Sequence, residues 1–165
     1  MPLESYMNID KIKNLLCGTT VLITALALGA CQGDKDPQTA LEEENLKKAI
    51  YCMDLLENQQ DLVASRRECF AETYIQHTPW VPDGRDAVLS YFATRFENYP
   101  DFAMEIKRTG ADGDLVWIHL HAKRTPDVLG NAVINIFRMK DGKFAEHWNV
   151  GQAVSAESAN DNTMF

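Results

Sequence analysis

Residues 134–153 read "INIFRMKDGKFAEHWNVGQA" and contain the hairpin pattern from which the fold is predicted. Apolar and polar side chains alternate on both sides of Asp141-Gly142, and an Asp-Gly dipeptide between two alternating runs is a strong hairpin signal. The segment therefore predicts two antiparallel strands, at about 131–140 and 143–153.

The register of this hairpin decides which side chains share a face. A two-residue turn at Asp141-Gly142 places Asn135 opposite Trp148, whereas a three-residue loop with a bulge places Asn135 opposite His147. The three-residue loop is favoured, because it separates the side chains into two distinct faces, and it also lets Arg138 reach Glu146 diagonally across the pair. One face then carries Val133, Asn135, Phe137, His147 and Asn149, and the other carries Ile134, Ile136, Arg138, Glu146 and Trp148. The first face has the composition of a pocket, with apolar walls and a few polar groups.

In the rest of the chain the spacing of the apolar residues changes at Pro100, from a helical period before it to the alternation of strands after it. Strand-like runs follow it at about 101–109 and 114–124, and alternation in the second run puts Leu115, Trp117, His119 and His121 on one side. Helical spacing precedes it over about 39–58, 61–72 and 85–98, with a loop at 74–84. Three helices followed by an antiparallel sheet predict an α+β fold, in which the helices cover one face of a curved sheet.

The first thirty residues have the layout of an export signal. Lys11 and Lys13 precede an uncharged run over 15–30 that is shorter than a membrane-spanning helix. The run ends in "LGAC" (28–31), which resembles the lipobox of bacterial lipoproteins, in which the cysteine carries the lipid. We therefore expect Cys31 to be lipidated.

This interpretation divides the chain into three parts. Residues 1–30 are the signal peptide, residues 31–40 are a polar tether, and residues 41–165 form one domain. The expected location is the bacterial cell envelope, with the protein anchored by lipid to the outer membrane and facing the periplasm. The chain has 16 Lys and Arg against 24 Asp and Glu, a net charge of −8, so nucleic acid is a poor partner.

Two cysteines, Cys52 and Cys69, lie within the expected domain. In an oxidising periplasm they can pair across two adjacent helices. Alternatively, both are small buried hydrophobic residues. The sequence leaves both interpretations open.

Four motifs in order resemble the SnoaL-like proteins of the nuclear transport factor 2-like superfamily, in the branch described as aldol-condensation catalysts. The motifs are "YIQHTPWVPDGRDAVLSYF" (74–92), "GDLVWIHLH" (113–121), "INIFRMKDGKFAEHWNVGQ" (134–152) and "NDNTMF" (160–165). The resemblance covers nearly all of 41–165. It implies a cone-shaped curved sheet under three helices, arranged around a pocket, and commonly a homodimer formed through the outer face of the sheet.

The resemblance also implies chemistry without cofactor or metal. An acidic residue removes a proton next to a carbonyl group, and the enolate adds to a second carbonyl. In that branch two strand motifs read "DIFR" and "EHWD", whereas this chain has Asn135 and Asn149 at those aspartates. An amide cannot act as a general base near neutral pH. The chain is therefore either a cyclase or isomerase with another base, or a non-catalytic binding or accessory module.

Several side chains are candidates for a role in the pocket. His147 is a candidate base in place of the missing carboxylate, and His119 matches a histidine of the family motif. Tyr74 either donates a hydrogen bond to a carbonyl oxygen or ties the loop to the third helix. The candidate ligand-binding residues are Tyr74, His77, Trp80, Trp117, His121, Asn135, Phe137 and Asn149. For the histidines and tryptophans the alternative is a purely structural role.

A transition-metal site is a further alternative, formed by His119 and His121 with His147 or His77. Metal ligation needs three convergent groups, and the sequence shows one close pair with no carboxylate fixed beside it. We therefore expect no metal and no cofactor, and a small apolar or carbonyl-containing molecule as the ligand.

Overall fold

The computed structural model describes residues 35–165, so the export signal and Cys31 lie outside the described residues. In this part of the chain, no helix has the length and apolar character that crossing a membrane requires. The elements in chain order are α1 (Pro37–Met53), a π-helical turn (Asp54–Asn58), α2 (Leu62–Glu68), β1 (Phe70–Gln76), α3 (Arg85–Asn98), β2 (Ala103–Asp112), β3 (Leu115–Lys123), β4 (Asn131–Lys140) and β5 (Lys143–Ala153).

The first helix begins within the segment that was predicted to be a tether. Asp36 caps it, with a side-chain oxygen that accepts the Thr39 N–H at 3.3 Å, and Pro37 supplies a first-turn residue that needs no hydrogen-bond partner. At its other end the helix widens into the π turn, which buries Leu55, Leu56 and Glu57 in succession. The apolar spacing did not indicate this turn.

The fold is α+β, as predicted, but the sheet has five strands and is mixed. The strand order is β1-β5-β4-β3-β2, and β1 pairs in parallel with β5 while the other pairs are antiparallel. β1 occupies residues that were assigned to the end of a helix and the start of a loop. Its pairing with β5 is non-local and shows an irregular register, so no alternation in the sequence marks it.

The hairpin has a two-residue turn, so the three-residue loop was wrong. Asp141 and Gly142 both have positive φ, 51° and 69°, and Lys140 pairs with Lys143. A bulge at Ala145 then shifts the register by one residue, so that Phe137 faces His147 and Asn135 faces Asn149. Beyond the bulge, Asn135 therefore faces neither Trp148 nor His147, the two partners that were predicted. The predicted faces are nevertheless correct. The two-residue turn and the bulge together shift the pairing by two residues from that of the three-residue loop, and a shift by an even number leaves each side chain on the same face.

The core lies between the helices and the inner face of this sheet. β3 contributes Val116 and Ile118, both with no exposed surface, and β4 contributes Phe137. The outer face is more open, with Ile134 45% exposed and Val150 73% exposed. The homodimer through this face stays a prediction.

Cys52 and Cys69 form a disulfide bond, which decides between the two alternatives. Their Cα atoms are 5.5 Å apart, and both residues are completely buried. The bond ties α1 to the residue that precedes β1, so it holds the helical layer against the parallel edge of the sheet.

Replacing both Cys52 and Cys69 with alanine is expected to lower the free energy of unfolding by about 3 kcal/mol, because the bond closes a loop in the unfolded chain. Urea denaturation measures this loss. Reduction should destabilise the wild type by a similar amount and leave the double variant unchanged. Equal midpoints for the two proteins, or two free thiols at these positions in the native protein, would contradict the assignment.

Candidate functional site

A cavity of about 380 Å³ lies between the helices and the inner face of the sheet. This is a volume suited to a small organic molecule. Its apolar walls include Met53, Leu56, Phe70, Val88, Phe92, Phe102, Leu120, Val133 and Phe137. The polar groups of the cavity include one hydrogen-bonded set on the sheet around His147 and one ion pair on the helices; Arg124, which follows β3, and Asn131 of β4 also line the cavity.

His147 is the centre of the set on the sheet. The residue is 8% exposed, and its ring stacks on Phe137 with 4.7 Å between the ring centroids. Nδ1 lies 2.9 Å from Oε1 of Gln76, and Nε2 lies 3.0 Å from Oδ1 of Asn135. Burial, assisted by the nearby His77, lowers the pKa of His147 to about 4. The imidazole is therefore neutral at physiological pH.

The hydrogen bonds around His147 fix the position of its proton. Oε1 of Gln76 also accepts the Thr78 N–H at 2.9 Å, so it is an acceptor and Nδ1 of His147 carries the proton. Nε2 must then accept, and a half turn of the Asn135 amide presents its NH₂ group to Nε2. Both ring nitrogens are thus bonded to protein amides. This arrangement lets His147 orient Asn135. Neither ring nitrogen can accept a proton from a ligand unless the hydrogen bond between Nε2 and Asn135 breaks.

Two hydrogen-bond donors in the network around His147 remain for a ligand. The Thr78 hydroxyl donates to Oδ1 of Asn149 at 3.0 Å, and within residues 35–165 the Nδ2 group of Asn149 makes no hydrogen bond. The Tyr74 hydroxyl accepts from Nε2 of Gln76 at 3.2 Å, so its own proton is available. Burial raises the pKa of Tyr74, which keeps the hydroxyl protonated. In the described part of the chain this hydroxyl makes no bond to α3.

The set on the helices consists of Glu57 and Arg95, which the sequence interpretation missed. Glu57 extends from the π turn and forms an ion pair with Arg95 of α3. Burial raises the pKa of Glu57 in spite of the attraction of Arg95. One signal was available, since Glu57 follows Met53 by four residues and Ala49 by eight, which places a carboxylate on the buried stripe of the helix.

Trp117, His119 and His121 lie on the outer face of the sheet, so their predicted position in the pocket is wrong. The alternation in β3 is as predicted, but the aliphatic set, Val116, Ile118 and Leu120, faces the core. Trp117 covers Gly110, its cross-strand partner, where a Cβ atom would lie 2.4 Å from the indole Nε1. His119 and His121 pack against Phe165, with centroid distances of 5.7 and 4.4 Å.

His77 is also outside the cavity, whereas Trp80 lies at its rim. Nε2 of His77 lies 2.8 Å from Oε1 of Glu146, and the ring stacks on Trp148. Trp80 lines the cavity and is 69% exposed. The histidines of the metal alternative are therefore divided between the two faces of the sheet. Among the described residues, no group of three or more His, Cys, Asp or Glu side chains is placed to hold a metal ion.

Comparison with known proteins identifies the fold. A family model, the SnoaL-like domain, matches residues 53–147, which is more than half of the chain. No curated protein matches the chain by sequence.

Solved structures with a similar fold come from several bacteria. A protein from Jannaschia sp. CCS1, assigned as a SnoaL-like polyketide cyclase, is 18% identical with a TM-score of 0.58, over 72% of this chain and 90% of its own. A protein from Kribbella flavida, assigned as a ketosteroid isomerase, is 16% identical with a TM-score of 0.58, over 72% of this chain and 85% of its own. A SnoaL-like protein of unknown function from Burkholderia thailandensis is 17% identical with a TM-score of 0.59, over 68% and 98%. At these identities the likeness shows the fold alone.

His147 is expected to titrate with a pKa of about 4 in the folded protein, below its ordinary value of 6.5. The unfolded state therefore binds the proton first as the pH falls. The contribution of His147 to stability is complete above pH 6.5 and is lost towards pH 4, and it amounts to about 3 kcal/mol. NMR titration of the histidine rings, with the His147 signal identified by its absence in His147→Gln, measures the pKa. A value near 6.5 would contradict the buried, neutral ring.

Proposed function

The chain belongs to the SnoaL-like domain family, and on this premise we propose that it is a cofactor-independent enzyme of the cyclase or isomerase type. Its substrate is a small, uncharged, largely apolar carbonyl compound that binds in the cavity between the helices and the sheet. The names of the Jannaschia and Kribbella proteins, which refer to a polyketide cyclase and a ketosteroid isomerase, support this class of reaction.

The observation that carries the proposal is the pair of donors on the cavity wall. Nδ2 of Asn149 and the Tyr74 hydroxyl both line a cavity whose other walls are mostly apolar. Donors fixed in such surroundings stabilise an oxygen on which negative charge develops, because they need not reorganise as the charge appears. A carbonyl oxygen that becomes an enolate oxygen is a ligand atom of this kind.

A second candidate function is non-catalytic binding of the same class of molecule. It is favoured by the amides of Asn135 and Asn149 at the positions of the family's aspartates, and by the two occupied nitrogens of His147. This candidate predicts that a ketone binds in the cavity and that none of its hydrogens exchanges faster than in buffer.

We also propose that the protein is exported and anchored by lipid at Cys31 to the outer membrane. The Cys52–Cys69 bond supports export, since disulfides persist in oxidising compartments. On fractionation of cells, the wild type is expected with the membranes and Cys31→Ser in the soluble periplasm or uncleaved. Wild-type protein in the cytoplasm, with Cys52 and Cys69 reduced, would overturn this part of the proposal.

Binding to the sheet side of the cavity can be measured with a matched pair of probes, the ketone β-tetralone and the hydrocarbon tetralin. Asn149→Leu removes the donor and keeps a side chain with the same branching at Cγ. We expect the variant to raise the Kd of β-tetralone by about tenfold relative to that of tetralin, because one hydrogen bond to the ketone is lost. Calorimetry or ligand-observed NMR gives both constants.

The comparison has a control on the outer face. Trp117→Phe is expected to leave both constants unchanged, since the indole packs on Gly110 outside the cavity. The ligand site would be wrong if Asn149→Leu changed the two constants equally, and the proposed function would fail if the wild type bound neither probe.

A further inference from the structure

The only carboxylate that lines the cavity in the described part of the chain is that of Glu57. The residue is 7% exposed and lies on the π turn, where the i to i+5 bond from Gln59 N–H to the Asp54 carbonyl is 3.0 Å long. A wider turn brings Leu55, Leu56 and Glu57 to the buried side together. π turns of this kind occur frequently at functional sites.

Arg95 holds one oxygen of this carboxylate in place. Its guanidinium carbon lies 4.2 Å from the ring centroid of Phe92 and 4.1 Å from that of Phe102, so the group is packed between aromatic rings. It donates to Oε2 of Glu57. Within residues 35–165, Oε1 of Glu57 makes no hydrogen bond, and the carboxylate faces the same cavity as Asn149 and Tyr74.

We propose that Glu57 is the general base of this cavity, in place of the carboxylates absent from positions 135 and 149, and that Arg95 is its positioning residue. This inference rests on the proposed function, because it needs a carbonyl compound in the cavity. The ligand lies between the two sets of polar groups, with its oxygen at the sheet and its acidic carbon towards the helices.

The proton transfer balances without any other reactant. Oε1 of Glu57 takes a proton from the carbon next to the carbonyl. The electron pair of that C–H bond forms a C–C double bond, and the carbonyl π pair moves to oxygen, where Asn149 and Tyr74 donate hydrogen bonds. The enolate then recovers the proton at the same or another carbon, or it adds to a second carbonyl carbon.

The electrostatics of the two polar sets agree with these roles. Burial raises the pKa of Glu57, which brings its basicity closer to neutral pH, where proton transfer is most effective. The opposite shift in His147 makes that ring a weak base. The sheet side therefore supplies neutral donors, and the helix side supplies the base.

Hydrogen exchange of β-tetralone in D₂O, followed by proton NMR and corrected for buffer, tests the inference. We expect Glu57→Gln to lower the exchange rate at saturating ketone at least 100-fold while the Kd stays within about threefold. Glu97→Gln, which removes the same charge at an exposed position of α3, should change neither quantity. Arg95→Gln should lose most of the rate, and Arg95→Lys should restore part of it.

Glu57→Asp covers the case in which Glu57→Gln does not fold. It keeps the charge and withdraws the carboxylate by one methylene, so we expect a rate at least tenfold below that of the wild type.

The contrary outcomes separate the two proposals. Equal exchange by wild type and Glu57→Gln, or by wild type and Glu57→Asp, overturns the role of Glu57 and leaves the enzyme in place. Binding without exchange in the wild type overturns that role and leaves the non-catalytic candidate. Binding of neither β-tetralone nor tetralin overturns the proposed function together with this inference.

Discussion

One extra residue, Ala145, determines the chemistry of the cavity. The turn at Asp141-Gly142 alone would place Asn135 and His147 on opposite faces of the hairpin, and Glu146 would then turn towards the core beside Asn135. The bulge at Ala145 moves the residues that follow it to the opposite face of the hairpin. His147 and Asn149 turn inward, while Glu146 turns outward to receive the hydrogen bond from Nε of Arg138 at 2.9 Å. A neutral polar surface inside the sheet and a charged one outside both follow from this residue.

The surface around His147 stays neutral because burial penalises charge there. Unpaired charges are costly in apolar surroundings, so His147 is deprotonated and its two nitrogens bond to amides. The charged groups Glu57 and Arg95 are tolerated as a pair whose cation packs on aromatic rings. A ligand with a polar oxygen and an apolar body matches both halves of this cavity.

Local patterns were sufficient for much of the fold. Gly84 and Pro100 punctuate α3, which has the predicted bounds of 85–98, and alternation gave the bounds of β4 and β5. β1 was missed because its parallel partner lies some seventy residues away in the chain. In the candidate site, alternation grouped Trp117, His119 and His121 correctly but could not tell which face packs against the helices. Glu57 was missed although its helical spacing from Ala49 and Met53 places it on the buried stripe; the π turn that buries it together with Leu55 and Leu56 leaves no signature in an α-helical period.

A crystal structure of the complex with β-tetralone tests whether the cavity holds a carbonyl compound between the neutral donors of the sheet and the ion pair of the helices. We expect the ketone oxygen within hydrogen-bonding distance of Asn149 Nδ2 or the Tyr74 hydroxyl, and the carbon next to the carbonyl facing Oε1 of Glu57. A ligand bound on the outer face beside Trp117, or in the cavity with its oxygen turned towards Arg95, would contradict it.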